Sequence, residues 1–196
     1  FPGPFDKGIY GNALEKKIWD IKIVGIRDFA EDKHKTVDDT PYGGGSGMVM
    51  RADVIANSLD KNLDTGEKVY YLSPRGKLFN QEIAKKISKE KSLNILCGHF
   101  EGVDQRVLDN KNIEEISIGD YVISGGETAS YVVLDSVLRL IPGVLGNEDS
   151  TVDESFENGL LEYPQYTKPQ IWQKNKVPEV LLSGDHAKIK HWRLSQ

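Results

Sequence analysis

The chain has 196 residues, 38% of them hydrophobic, a formal net charge of −5 and one cysteine, Cys97. That length and apolar content suffice for one well-buried core in one or two domains. A lone cysteine excludes an intramolecular disulfide and any multi-cysteine zinc site, no apolar run approaches the roughly 20 residues of a membrane span, and no signal-peptide pattern opens the chain, so the composition predicts a soluble, cytoplasmic protein with no membrane association.

Strand and helix signals alternate along the chain. Trp19–Ile26 reads as a strand, and a glycine cluster within Thr36–Met50, TVDDTPYGGGSGMVM, feeds a helix over Gly47–Leu59. Lys68–Leu72 reads as a strand, Asn80–Lys89 as a helix with Ile83, Ala84 and Ile87 inward, and Leu93–Cys97 as a buried strand.

The segment Ser117–Gly146 is the most informative. Asp120, Tyr121, Val122 and Ile123 read as a buried strand, and Gly125 and Gly126 permit positive φ and close backbone approach. Glu127–Leu140 then repeats apolar residues at helical spacing through Val133, Leu134, Val137, Leu138 and Ile141. Glu127 falls in the first turn, where a carboxylate complements unpaired amides, and Pro142 and Gly143 stop the helix. A strand running into glycines that open a helix is a backbone cradle for a ligand. After a segment over Leu145–Lys176 rich in Pro, Asn, Gly and acidic residues, a last strand is read at Glu179–Leu182 and a helix from Asp185. The alternation predicts an α/β layer fold with a mostly parallel sheet.

Neither glycine cluster is followed by Gly-Lys-Ser/Thr or fits the G-x-G-x-x-G spacing, which argues against nucleotide triphosphate hydrolysis and a dinucleotide fold. The four histidines, His34, His99, His186 and His191, show no metal-ligand spacing, and no metal ligands are assigned. Cys97 and His99 share a strand face but lack a third, orienting group for nucleophilic chemistry.

Net charge hides an asymmetry. Glu101–Glu162 holds 14 acidic and 3 basic residues, whereas Tyr163–Gln196 holds 6 basic and 2 acidic. The positive tail suggests a local RNA-contacting surface with Lys168, Lys174, Lys176, Lys188, Lys190, His191 and Arg193 as members.

Seven segments in order carry a family resemblance: DDTPYGGGSGM from Asp38, YLSPRGK from Tyr71, CGHFEG from Cys97, SIGDYVISGGE from Ser117, IPGVLGN from Ile141, DESFENGLLEYPQYTKP from Asp153 and VPEVLLSGDHAKIKHWRL from Val177. The chain resembles the bacterial tRNA (guanine-N1)-methyltransferases of the TrmD type, members of the knotted SPOUT class. The resemblance implies an α/β fold with a deep trefoil knot formed by about Tyr71 to Gly126, a feature no periodicity would suggest. It also implies a knotted cofactor-binding catalytic domain over residues 1–146, a linker and active-site loop over 147–176, and from 177 to 196 the start of a helical tRNA-binding domain that is otherwise largely absent. Against the family, both ends look incomplete.

The implied reaction transfers a methyl group from S-adenosylmethionine to N1 of the guanine at tRNA position 37. That nitrogen carries a hydrogen in the neutral base, so some group must take the proton; a carboxylate suits the work as general base, and a cation near O6 would stabilise the developing charge. By resemblance the general base falls in the DESF segment, where Glu154 holds the place in which the family commonly has aspartate, with Asp153 as its rival; Arg139 is the implied cation. Cofactor contacts fall on Tyr71, Leu72, Ser73 and Pro74, on Gly98 and Glu101, on Ile118, Gly119, Asp120, Tyr121, Val122 and Ile123, and on Gly125 and Gly126. His99-Phe100 departs from the more common Arg-Tyr. Tyr42 and its glycines are expected to shape the guanine side, and residues 147–156 to stay mobile until RNA binds. The resemblance further implies a homodimer with shared active sites, Tyr131–Ile141 contributing to its interface, and a magnesium dependence. A different RNA target atom, or a homologue that binds without catalysis, are the alternatives.

Overall fold

The computed structural model describes residues 1–146 and 163–196. The chain divides into two units, Phe1–Glu148 and Asp149–Gln196.

The first unit is built on a three-stranded parallel sheet. Central β3 (Val69–Leu78) lies between β4 (Asn94–Leu96) and β5 (Ile113–Ser117), in the order β4-β3-β5. Val69 to Leu72 are all buried, as a parallel strand covered on both faces requires. Because side chains alternate along a strand, Val69 and Tyr71 join one cluster with Ile55 of α2 (Ala52–Asn62) and Val107 and Leu108 of α4 (Gln105–Asn110). Tyr70 and Leu72 join the other, with Ala84 and Ile87 of α3 (Gln81–Ile87) and Ala129, Val133 and Val137 of α5 (Gly126–Leu138). The result is a helix–sheet–helix sandwich, in keeping with the predicted α/β class. Helix α1 (Gly8–Glu15) adds Ala13 to a third cluster with Phe5, Trp19, Leu138 and Val144.

Local chemistry sets the helix starts. The Asn80 side chain accepts from the Ile83 amide at 2.9 Å, and that of Asp104 from the Arg106 amide at 2.9 Å, each satisfying a donor the helix leaves open. Helix α5 follows its predicted apolar face, with Val133, Val137 and Leu138 buried.

Four expectations are corrected. Trp19–Ile26 forms no strand: Trp19 packs in the third cluster and donates its Nε1 proton to the Tyr10 carbonyl at 2.9 Å, Ile23 is exposed, and Ile26 opens a short 3-10 turn. The helix expected over Gly47–Leu59 begins only at Ala52, because Val49–Met50 (β2) pairs antiparallel with Asp38–Asp39 (β1). The strand expected at Asp120–Ile123 is an exposed loop, Val122 being 88% exposed; the strand lies upstream, at Ile113–Ser117. Glu179–Leu182 (α6) is a helical turn opened by Pro178 rather than a strand.

Strand β3 interrupts its own ladder. Both Leu72 and Lys77 pair with Ile116, so Ser73–Gly76 leave the sheet and return. The return requires glycine: a Cβ on Gly76 would lie 2.4 Å from the Ile116 nitrogen and 2.5 Å from the Glu115 carbonyl carbon.

In the second unit no described residue is buried. Strands β6 (Ile171–Trp172) and β7 (Asn175–Lys176) form a hairpin, and α7 (His186–Leu194) starts where Asp185 accepts from the Lys188 amide at 3.1 Å. Trp192 packs near Tyr163 and Tyr166, with ring centroids 6.5 and 6.3 Å away, and the Arg193 guanidinium lies 4.5 Å over the Tyr163 ring.

Candidate active site

Three connections leave the carboxyl ends of the parallel strands, the region where open α/β sheets bind ligands. They are the Ser73–Gly76 excursion of β3, Cys97–Asp104 after β4 and Ile118–Gly125 after β5. The second and third are stitched together, since the Gly126 amide donates to the Gly98 carbonyl at 2.9 Å and His99 bridges to Gly125. A Cβ on Gly126 would sit 2.7 Å from the Cys97 Cα, so glycine is needed for this approach. Neither member of the pair uses positive φ, however: Gly125 is extended at −172° and Gly126 is helical, so the conformational half of the expectation is corrected while the close approach holds.

Tyr71 anchors the second loop from below. Its ring lies so close to Gly98 that a Cβ there would be 2.7 Å from ring carbon Cε2, and its hydroxyl lies beside Gly102. Burial raises its phenol pKa, opposed by the Val103 backbone donor. The loop is a tight turn closed by the Gly102 amide donating to the His99 carbonyl at 3.1 Å, with Phe100 held at φ +57°. A bulky residue in the left-handed region is strained, and such strain gathers at ligand sites.

A fourth segment, at the end of the glycine cluster, joins the second loop. Met48–Met50 runs beside the second loop: the Glu101 amide donates to the Met48 carbonyl at 2.9 Å, the Met50 amide to the Gly102 carbonyl at 2.8 Å, and the His99 amide to the Met50 sulfur at 3.3 Å. The Glu101 carboxylate lies over Gly47, whose φ is +94°. The His99 ring places Nε2 2.7 Å from Oε1 of Glu127, joining the loop to the first turn of α5. The GGGSGM cluster was legible as a turn, but its attachment to a loop some fifty residues away has no local signature.

The predicted cofactor residues thus divide. Tyr71, Gly98, Glu101, Gly125 and Gly126 are brought together; Leu72, Ser73 and Pro74 end the adjacent stretch of β3, Leu72 and Ser73 buried and Pro74 exposed. Ile118 packs partly against the second cluster, Gly119 has φ +144°, and Asp120, Tyr121, Val122 and Ile123 present an exposed surface in which the Tyr121 hydroxyl donates to the Ile118 carbonyl at 3.3 Å. Backbone polar groups at three strand ends beside apolar Phe100, Tyr121, Val122 and Ile123 suit an adenosine-like group, which needs both amide contacts and an apolar wall.

Arg139 caps the other end of α5, 13 residues from Gly126, or roughly 20 Å along the helix axis. It lies near Tyr10, whose hydroxyl donates to Oδ1 of Asp135 at 2.5 Å; burial and that bond push the Tyr10 phenol well above the usual tyrosine range, and the Arg139 charge opposes them. The structure therefore does not bring Arg139 to the cradle within one chain. Asp153 and Glu154, and the loop 147–156, lie outside the described residues. Tyr42 is 98% exposed on its glycine loop.

A cavity of about 630 Å³ opens elsewhere, between Ile21–Arg27 and Leu93–Cys97 on the outer side of β4. It meets the cradle at Cys97, His99, Phe100 and Glu127, but Tyr71, Ser73 and Gly119–Ile123 do not line it. Its walls are mainly apolar, with Lys22, Arg27, Glu67, His99 and Glu127 among the polar residues that line it. Among the described residues no group of three His, Cys, Asp or Glu gathers to hold a metal ion, and no helix is long and apolar enough to cross a membrane. Burial pushes the Cys97 thiol up to about 11.

Glycine-stitched loops over the carboxyl ends of a parallel sheet define an α/β protein whose loops lie where open sheets of this class bind ligands. More particularly, residues 1–196 match the family described as tRNA (Guanine-1)-methyltransferase TrmD, and the chain belongs to that family. It is similar to the tRNA (guanine-N(1)-)-methyltransferase of Pelagibacter ubique (strain HTCC1062), 69% identical over 196 residues that span all of this chain and 86% of that protein. It is 56% identical over 200 residues to the protein of that name from Wolbachia pipientis subsp. Culex pipiens (strain wPip), covering 86% of it. The corresponding figures for the Brucella canis (strain ATCC 23365 / NCTC 10854 / RM-666) protein are 54% and 80%.

Proposed function

We propose that this chain methylates N1 of the guanine at position 37 of tRNA, next to the anticodon, with S-adenosylmethionine as donor. The observation that carries the reading is the seam between Gly98 and Gly125–Gly126 at the strand ends, in a chain that matches the methyltransferase family along its whole length.

The donor, when bound, supplies an electrophilic methyl group on sulfur. The backbone of Tyr71–Pro74, Gly98, Glu101, Ile118–Ile123, Gly125 and Gly126 would hold the adenosine portion, and Gly98 and Gly126 let two loops meet without side chains between them. A carboxylate of the DESF segment, Glu154 with Asp153 as alternative, accepts the N1 proton and so frees the nitrogen lone pair for the methyl group that the donor would supply. Arg139 offers positive charge to O6 as the proton leaves. Its distance from the cradle along α5 favours a homodimer in which a second copy completes each site.

The reading includes a trefoil knot between Tyr71 and Gly126, supported by the family match. It also includes a catalytic domain over 1–146, a linker over 147–176, a tRNA-binding region from 177, action in the cytoplasm, and a magnesium requirement that chelation followed by magnesium return tests.

Labelled donor and unmodified tRNA transcripts carrying guanine or adenine at position 37 test the reaction. Label must enter the guanine transcript alone, at N1. Glu154→Gln is expected to abolish turnover while donor affinity is retained, and Asp153→Asn to reduce it less. Label on a ribose oxygen, or equal turnover in both variants, overturns the proposal.

A further inference from the structure

We infer that the β6–β7 hairpin is a nucleobase-stacking contact for the substrate RNA, with Trp172 as the platform and Lys174 and Lys176 meeting the backbone phosphates. This rests on the tRNA reading and adds a contact to it.

The hairpin is a small, closed structure. Ile171 pairs with Lys176, Trp172 with Asn175, and the Val177 amide donates to the Gln170 carbonyl at 3.0 Å. Its two turn residues, Gln173 and Lys174, both have positive φ, 49° and 75°. That backbone suits a two-residue hairpin loop but is ordinarily given to Asn-Gly, so two long polar side chains are held at the tip against local preference. Consecutive strand residues point to opposite faces, yet Ile171 and Trp172 are both more than half exposed, at 56% and 62%. Neither serves as core for the ribbon.

Charge identifies the partner. From residue 163 to 178 there are three lysines, Lys168, Lys174 and Lys176, and no acidic residue, while the chain as a whole is at −5. Lysines are depleted at protein–protein interfaces, whereas exposed aromatics interleaved with lysine mark surfaces that bind single-stranded nucleic acid by stacking and phosphate contact. The anticodon loop presents such unstacked bases. On the same unit α7 carries Lys190 and Arg193, the latter over the Tyr163 ring, while Lys188 is paired with Asp185 at 3.2 Å.

The test uses the full chain and an unmodified tRNA transcript with guanine at position 37. Trp172→Ala is expected to weaken RNA binding about 5- to 150-fold, Trp172→Phe to recover most of it, and both to leave donor binding, the far-UV spectrum and oligomeric state unchanged. Lys174→Ala is expected to lower the slope of log affinity against log salt by about 0.7, and Trp172→Ala to leave that slope in place. Unchanged RNA affinity in Trp172→Ala overturns the inference. So does a loss that phenylalanine fails to recover, or one accompanied by dissociation of an oligomer, which would make the ribbon a protein interface. Failure of the unaltered protein to bind or methylate the transcript would instead bring down the tRNA reading.

Discussion

The Gly126 amide donates to the Gly98 carbonyl at 2.9 Å, and with the His99–Glu127 contact this bond ties the loop after β4 to the opening of α5. Backbone can approach backbone here because neither residue carries a side chain. A Cβ at Gly126 would meet the Cα of Cys97 at 2.7 Å and the Gly98 nitrogen at 2.9 Å, and backbone atoms cannot swing aside as a flexible side chain can. Gly126→Ala is therefore expected to destabilise the protein by about 1–3 kcal/mol and to weaken donor binding at least tenfold. Urea denaturation and calorimetric titration of the donor measure the two effects; wild-type values in both would mean that the seam is not tight.

Ile116 is fully buried and pairs with both Leu72 and Lys77, so it holds both sides of the Ser73–Gly76 excursion. Ile116→Ala is expected to cost about 2–5 kcal/mol and Ile116→Val about 0.5–1.5. Equilibrium unfolding gives both numbers. A cost below 1 kcal/mol for the alanine variant would show that the second cluster repacks around the gap.

Acid stability depends in part on Asp104, which caps α4. The Arg106 side-chain hydrogen bond, followed by the backbone amide of Arg106, lowers its carboxyl pKa. A folded pKa below the unfolded one means that the unfolded chain binds more protons, so this contribution is present above about pH 3.9 and lost as pH falls through the lowered folded value. Asp104→Asn should flatten the fall in stability below about pH 4, and urea midpoints between about pH 5 and pH 3 record the slope. Identical slopes in the two proteins would remove Asp104 from the acid response.

Phe100 is the residue of the His99–Gly102 turn whose strain can be relieved directly. Asparagine tolerates the left-handed region far better, so Phe100→Asn is expected to stabilise the fold by up to about 1 kcal/mol. If the exposed ring also helps hold the donor, affinity falls as stability rises, and thermal unfolding with and without donor separates the effects. A destabilised variant would mean that the ring's contacts outweigh its backbone strain.

Much of this architecture is written locally. Helix α5 follows from Val133, Val137 and Leu138 at helical spacing, and the capping roles of Asn80 and Asp185 follow from polar residues before apolar repeats. Strand β5 was hidden because Glu114 and Glu115 break its apolar run; the structure accommodates them by pairing Glu114 with Lys68 and setting Glu115 opposite Arg75. Tyr121, Val122 and Ile123 are strong strand formers left without a partner strand, and sheet propensity counts for little without one. The glycines marked the close backbone approach of the two loops, whereas the Met50–His99 contact and the distance of Arg139 from Gly126 depend on how remote segments meet.

The single native thiol, Cys97, is largely shielded, and with its pKa near 11 it is almost wholly protonated at neutral pH. Alkylating reagents attack thiolates, so maleimide dyes should ignore it on the timescale that modifies a solvent-facing cysteine. One cysteine introduced on the surface can then be tagged selectively, and fluorescence can follow the protein without first stripping out the residue that nature placed beneath the cradle.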